Sequence, residues 1–176
     1  TMDTAGRLSA LRKKHSAQVI AVDVIGIGSG IVDALYDLKE PVLAINSSAK
    51  PTVETEQKKY YNLRSQIWMM AGDMFAEGSV KLGDDFVLNG QLSSTKFSYK
   101  NGKLAAESKD DIKKRLGQSP DRADAFVMGL YALSWVSSFA EEEYKQPDSG
   151  DLQGLGRRVS YEEDEENQES YSGYEL

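Results

Sequence analysis

The run VIAVDVIGIGSGIVDALYDLKEPVLAIN (19–46) decides the fold. Residues 19–24 are nearly all apolar, as expected of a short strand covered on both faces. Glycines follow at 26, 28 and 30, and IVDALYDL then reads as a helix. Pro41 ends the connection, and VLAIN (42–46) is a second short apolar strand. Strand, helix and strand in so short a run make a βαβ unit, whose crossover is right-handed. The fold class is therefore α/β.

Helices and a hairpin extend outward from this unit. Residues 3–15 (DTAGRLSALRKKH) read as a helix with Asp3 as cap, apolar Leu8 and Leu11, and Arg12, Lys13 and Lys14 at the end favoured by the dipole. Residues 47–57 (SSAKPTVETEQ) form a polar loop. In 60–78, Tyr60, Leu63, Ile67, Met70 and Met74 recur at steps of three and four, a helix for which Gly78 suits the exit. Residues 79–107 change character and carry Asn-Gly pairs at 89–90 and 101–102; Lys-Asn-Gly-Lys (100–103) is a strong hairpin signal. SKDDIKKRLGQ (108–118) reads as a basic linker. The run SPDRADAFVMGLYALSW (119–135) is a helix with Ser119 at the cap and Pro120 at its first position. No repeat is visible.

The 176 residues, 40% of them apolar, suit one domain with a core. Without cysteine there is no disulfide framework and no thiolate zinc site. No stretch approaches the ~18 apolar residues of a membrane span, and no signal peptide is visible. The net charge of −7 is unevenly spread. From Glu141 onward twelve acids face three bases, giving −9; residues 1–140 hold sixteen acids and eighteen bases, giving +2. The expected organisation is a folded domain over 1–140 and an acidic, disordered tail over 141–176. The mildly basic body permits a nucleic-acid partner without demanding one.

Three acids stand out. Asp23 interrupts an apolar strand at its carboxyl end, where ligands bind in open α/β sheets; the bland alternative is an aspartate bonded to the N–H groups of the next turn. The GIGSG turn is no Walker A loop, lacking Gly-Lys-Ser/Thr, and its glycine spacing departs from the dinucleotide fingerprint. A tight turn passing close to another backbone explains it better. Asp121 lies in the first turn of its helix, where the dipole favours an anion. Asp124, three residues on, has no such explanation. Two like charges on one side of a buried helix repel unless a cation lies between them or one is protonated. Hard cations prefer oxygen ligands, and Asp23, Asp121 and Asp124 together suit two-metal phosphodiester hydrolysis. Lys109, Lys113, Lys114 and Arg115 either contact phosphates or form a solvated linker. His15, the only histidine, reads as a surface or capping residue at a helix end.

Three stretches resemble the nuclease domain of the large terminase subunit of tailed bacteriophages, the DNA-packaging motor: IAVDVIGIGSGIVDAL (20–35), YNLRSQIWMMAGDMFAEGSVKL (61–82) and ESKDDIKKRLGQSPDRADAFVMGL (107–130). The SPDxADA signature is the most specific, and the resemblance covers roughly residues 3–139. It implies a ribonuclease H-like mixed sheet flanked by helices, with a β-hairpin insertion. It also implies an endonuclease that binds two Mg²⁺ or Mn²⁺ ions and cuts concatemeric duplex DNA during packaging. Asp23 matches the strand-end acid of that family and Asp121 its C-terminal helix acid, with Asp124 the close neighbour. Asn62 and Arg64 match a recurrent Asn-x-Arg, structural or DNA-facing. The implied partners are duplex DNA, the terminase small subunit, the portal and the rest of the large subunit, in the host cytoplasm and away from membranes. One departure stands: the first metal-binding aspartate of the family lies on an earlier strand that residues 1–18 do not supply. The chain thus reads as a nuclease domain without its first strands, and the alternative function is a non-cleaving piece that binds DNA or a motor partner.

Overall fold

The computed structural model describes residues 1–26 and 28–142. Helix α1 (Met2–Lys14) leads to strand β1 (Ile20–Asp23), helix α2 (Gly28–Asp37) and strand β2 (Val42–Ile45). The strands pair in parallel, from Ile20 opposite Val42 to Asp23 opposite Ile45. The βαβ unit expected from the apolar runs is present. Among the described residues no third strand joins this sheet.

Side chains alternate between the two faces of a strand, and each face has its own helices. On one side Ile20, Val22 and Val42 pack with Ala5 and Leu8 of α1 and Ala34 and Leu35 of α2. On the other, Ala21, Leu43 and Ile45 meet helix α4 (Leu63–Ala76) and helix α7 (Asp121–Glu142) through Leu63, Ile67, Trp68, Val127 and Leu130. The result is helix, sheet, helix. Asp23 follows Ala21 at a step of two, so alternation aims it at the layer of α4 and α7.

The turn into α2 needs glycine for space. A Cβ on Gly28 would lie 1.7 Å from the carbonyl oxygen of Asp23. The GIGSG run therefore serves close backbone approach, as its spacing implies. At the other end of α2, buried Glu40 accepts from Ser9 Oγ at 2.6 Å and pairs with Arg12 and Lys13, tying α1 to the start of β2.

Three segments differ from the sequence reading. Within the expected polar loop, residues Glu54–Lys59 form a short helix, α3. FVLNGQLSS is helix α5 (Phe86–Ser94), so the Asn89-Gly90 pair makes no turn. Asp85 caps α5 by accepting from the Val87 and Leu88 amides, and Leu88 and Leu92 pack on the core one turn apart. Cap and packing outweigh the ~1 kcal/mol helix cost of a glycine. The second pair does turn the chain: Asn101 (φ 51°) and Gly102 (φ 74°) join strands β3 (Phe97–Lys100) and β4 (Lys103–Ala106) in an antiparallel hairpin. The basic linker is helix α6 (Lys109–Leu116), capped by Ser108, closed by left-handed Gly117 and anchored by fully buried Ile112. Its capping-box pattern, Ser108-x-x-Asp111, is legible in the sequence. The expected tail lies outside the described residues beyond Glu142. Among the described residues no helix is long and apolar enough to cross a membrane.

Two predictions follow from these junctions. Gly28→Ala must push β1 and α2 apart and should cost about 1–3 kcal/mol or more, read by urea denaturation. At Glu40, the bond from Ser9, opposed by burial and aided by Arg12, lowers the carboxyl pKa from its ordinary 4.5. The folded state then binds this proton less readily than the unfolded chain. The stabilisation is complete above the ordinary value and is lost as pH falls through the lowered one. Thermal unfolding of Glu40→Gln beside the unmutated protein should show a gap at neutral pH that narrows in acid.

Candidate functional site

Asp23 and Asp124 converge on one ammonium group. Lys109 Nζ lies 3.1 Å from Asp23 Oδ2 and 3.6 Å from Asp124 Oδ2. Asp23 arrives from the end of β1, Asp124 from the first turn of α7, and Lys109 from the first position of α6, fixed there by the Ser108 cap. Ser47 Oγ adds a donor to Asp23 Oδ2 at 3.4 Å, and Asp23 Oδ1 accepts from the Ile25 amide at 3.2 Å. Both readings of Asp23, turn bonding and exposure to a shared site, are realised by its two oxygens.

Asp124 is the more deeply buried, its side chain only 4% exposed. Its Oδ1 accepts from Arg64 Nη1 and from Trp68 Nε1, the latter at 3.1 Å. The Arg64 guanidinium lies over the Trp68 ring at 5.4 Å, and its Nε donates to the Glu107 carbonyl at 3.3 Å. Oδ2 of Asp124 is buried with no hydrogen-bond partner, its cationic neighbour being Lys109. Asp23, Ser47, Arg64, Trp68, Lys109 and Asp124 line a cleft of about 10 Å³, room for about one water.

Asn62 and Arg64 have separate tasks. Asn62 caps α4 by accepting from the Ser65 amide and hydroxyl. Arg64, buried two residues later, reaches inward to Asp124. Ser65 Oγ in turn accepts from the Ala106 amide at 3.0 Å, fixing the hairpin to α4.

Asp121 stands apart from this cluster. It is exposed, and its Oδ1 accepts from Ser119 Oγ at 2.7 Å. A three-residue step along a helix leaves side chains about 60° apart. Asp124 shares the buried arc with Ala123, Val127 and Tyr131, and Asp121 falls just outside it. Lys113 and Lys114 are exposed on α6. Arg115 turns back to Glu107, whose pKa it lowers, and to the Ser94 carbonyl. Trp68 and Ser47 are site residues that sequence reasoning missed, since an apolar helix and a polar loop hide them. Among the described residues no three histidine, cysteine, aspartate or glutamate side chains gather as a metal cluster.

No protein-family model matches the chain, and no curated protein matches it in sequence. Solved structures do. The nuclease domain of the large terminase subunit gp2 of bacterial virus Sf6 aligns with a TM-score of 0.59 at 19% identity, over 70% of this chain and 69% of that one. A mutant of that domain with manganese and beta-thujaplicinol aligns at 0.57 and 18%, over 72% and 70%. A mutant gp2c of the large terminase subunit from bacteriophage Sf6 with calcium aligns at 0.57 and 20%, over 70% and 69%. The βαβ core, the hairpin and the two packed helices thus share the α/β fold of the Sf6 terminase nuclease domain.

Proposed function

We propose that this chain is the metal-dependent endonuclease part of a viral DNA-packaging terminase, cutting concatemeric duplex DNA, with Asp23 and Asp124 as its metal-binding carboxylates. One observation carries the reading: two acids from distant elements share a single cation, and a buried oxygen of Asp124 lacks a hydrogen-bond donor. That oxygen and Asp23 Oδ2 form an all-oxygen donor set suited to Mg²⁺ or Mn²⁺. Bound there, the metal would activate water and stabilise the leaving oxygen of a phosphodiester. Arg64 and Trp68 hold Asp124 in place. Lys109, its side chain 39% exposed, stands where a phosphate enters, and Lys113 and Lys114 extend the basic face of α6. In this proposal the roles expected of Asp121 as ligand, and of Arg64 and Arg115 as DNA contacts, pass to Asp124, Lys109, Lys113 and Lys114. The host cytoplasm and the terminase small subunit, portal and remaining large subunit belong to the same reading.

A two-metal site asks for more acids than Asp23 and Asp124. The outer edge of β1 is free of strands among the described residues, and a strand added there would lie beside Asp23. The missing acid favours a second reading, in which the isolated chain binds DNA or a motor partner without cutting.

Plasmid nicking in Mn²⁺ separates these readings. Asp23→Asn and Asp124→Asn should reduce cutting to background, while Asp121→Ala should retain it. No nicking by the folded, unmutated chain would favour the non-cleaving reading. Arg64→Ala should lower nicking about 10–100-fold by releasing Asp124, as loss of a ligand's supporting partner does. It should also cost about 3–5 kcal/mol, because it leaves a buried carboxylate uncompensated. An unchanged urea midpoint would count against that role.

A further inference from the structure

The β3–β4 hairpin has features that the fold does not require. All four residues of β3 are exposed, with Tyr99 76% and Phe97 42% accessible. A strand in an antiparallel sheet ordinarily buries one face. At the tip Lys100 stands directly opposite Lys103. Like charges in register across a hairpin destabilise it. Neither lysine has an ion-pair partner among the described residues; Lys100 Nζ lies 5.6 Å from the centre of the Tyr61 ring. Lys96, at the base, is exposed too, and residues 96–106 contain no acid.

Lysines on a free edge strand also guard against unwanted pairing. That accounts for Lys96 and Lys100. It does not account for Lys103, which lies on the inner strand, or for Tyr99, left in water on the face of β3 opposite Lys100.

The ribbon is held along its inner strand and at its base. Ala106 donates to Ser65, the Tyr61 amide to the Leu104 carbonyl at 2.9 Å, and the Glu107 amide to the Lys96 carbonyl at 2.7 Å. Two residues beyond β4, Glu107 and Ser108, separate it from Lys109 at the cleft. The ribbon thus leads directly into the short run of chain that supplies the cation between Asp23 and Asp124.

We infer that the β3–β4 hairpin is a contact surface for the phosphate backbone of duplex DNA, in which Lys100 and Lys103 take phosphates and Tyr99 packs against the sugar-phosphate edge. A two-stranded ribbon fits the width of a major groove, and a phosphate between Lys100 and Lys103 relieves their repulsion. The body carries a net +2 over residues 1–140, so the hairpin concentrates positive charge that the body as a whole lacks. The inference rests on the reading of duplex DNA as substrate.

The test is binding of the full chain to a short duplex of arbitrary sequence in EDTA, where cutting is excluded. Lys100→Gln combined with Lys103→Gln should weaken binding equally for all sequences. It should also reduce the slope of log affinity against log salt by about 2, one per lost phosphate contact. Tyr99→Ala should weaken binding and leave the slope unchanged. The double variant should melt no lower than the unmutated protein, since it removes a repulsion, so weaker binding cannot be ascribed to unfolding. Duplex binding with unchanged affinity and slope in the double variant would overturn the hairpin surface and leave the nuclease reading intact. A folded, unmutated chain that binds no duplex would overturn both.

Discussion

The burial of Asp124 is the constraint on which the rest of the structure turns. A carboxylate moved from water into a protein interior loses several kcal/mol of hydration unless charge and hydrogen bonds are returned to it. Here the return comes from Arg64 and Trp68 of α4 and Lys109 of α6. Each donor must be placed by its own element. The Asn62 cap fixes where α4 begins, and hence where Arg64 lies. The Ser108 cap does the same for Lys109. The Arg64 bond to the Glu107 carbonyl then links the end of the hairpin to the same charge. A single acid thereby sets the relation between α4, α6, α7 and β4. Apolar packing of Ile67, Val127 and Leu130 would hold α4 against α7 but would leave their rotation loosely specified.

Much of this was legible in the sequence because local pattern and tertiary need agree there. The apolar runs of 19–24 and 42–46 have one reading, a covered parallel pair, and Asp23 then falls on the face of α4 and α7 by alternation alone. The Lys100–Lys103 turn was legible for the same reason. Asn89-Gly90 carried the same local signal yet lies in a helix, because Asp85 caps the segment and Leu88 and Leu92 find a core. Tertiary packing overrode a turn propensity that nothing in the dipeptide itself could reveal. The helix at Lys109–Leu116 was hidden differently. Its exposed faces are almost wholly charged, so Ile112 gives no apolar period, and only the cap pattern marks it.

The site was half legible. The sequence pointed to the strand and the helix whose acids meet at Lys109, and it posed Asp124 as an acid without an explanation. The spacing of Asp121 and Asp124 suggested one shared face. The helix separates them, because Asp124 lies at one edge of the buried arc of α7 and the step of about 60° back to Asp121 leads out of it. Arg64 was readable as half of an Asn-x-Arg pair, yet direction is not a property of sequence. Facing DNA and facing a buried acid both ask for an arginine. The burial of its side chain to 9% distinguishes them.

The charge balance of the cleft also bears on how the fold is maintained. Asp23 and Asp124 bring two negative charges together, and Lys109 and Arg64 bring two positive ones. The cluster is neutral as it stands, so its carboxylates need no divalent ion to offset their repulsion during folding. This differs from small metal domains, in which binding free energy is folding free energy. On the proposed reading, a divalent ion entering between the carboxylates would meet the ammonium of Lys109 already there and be repelled by it. The more exposed cation is the one that can yield: the Lys109 side chain is 39% accessible at the rim, whereas Arg64 is held over the Trp68 ring and bonded to the Glu107 carbonyl. The same geometry that balances the charges of the cleft therefore leaves Lys109 as the member with room to move outward.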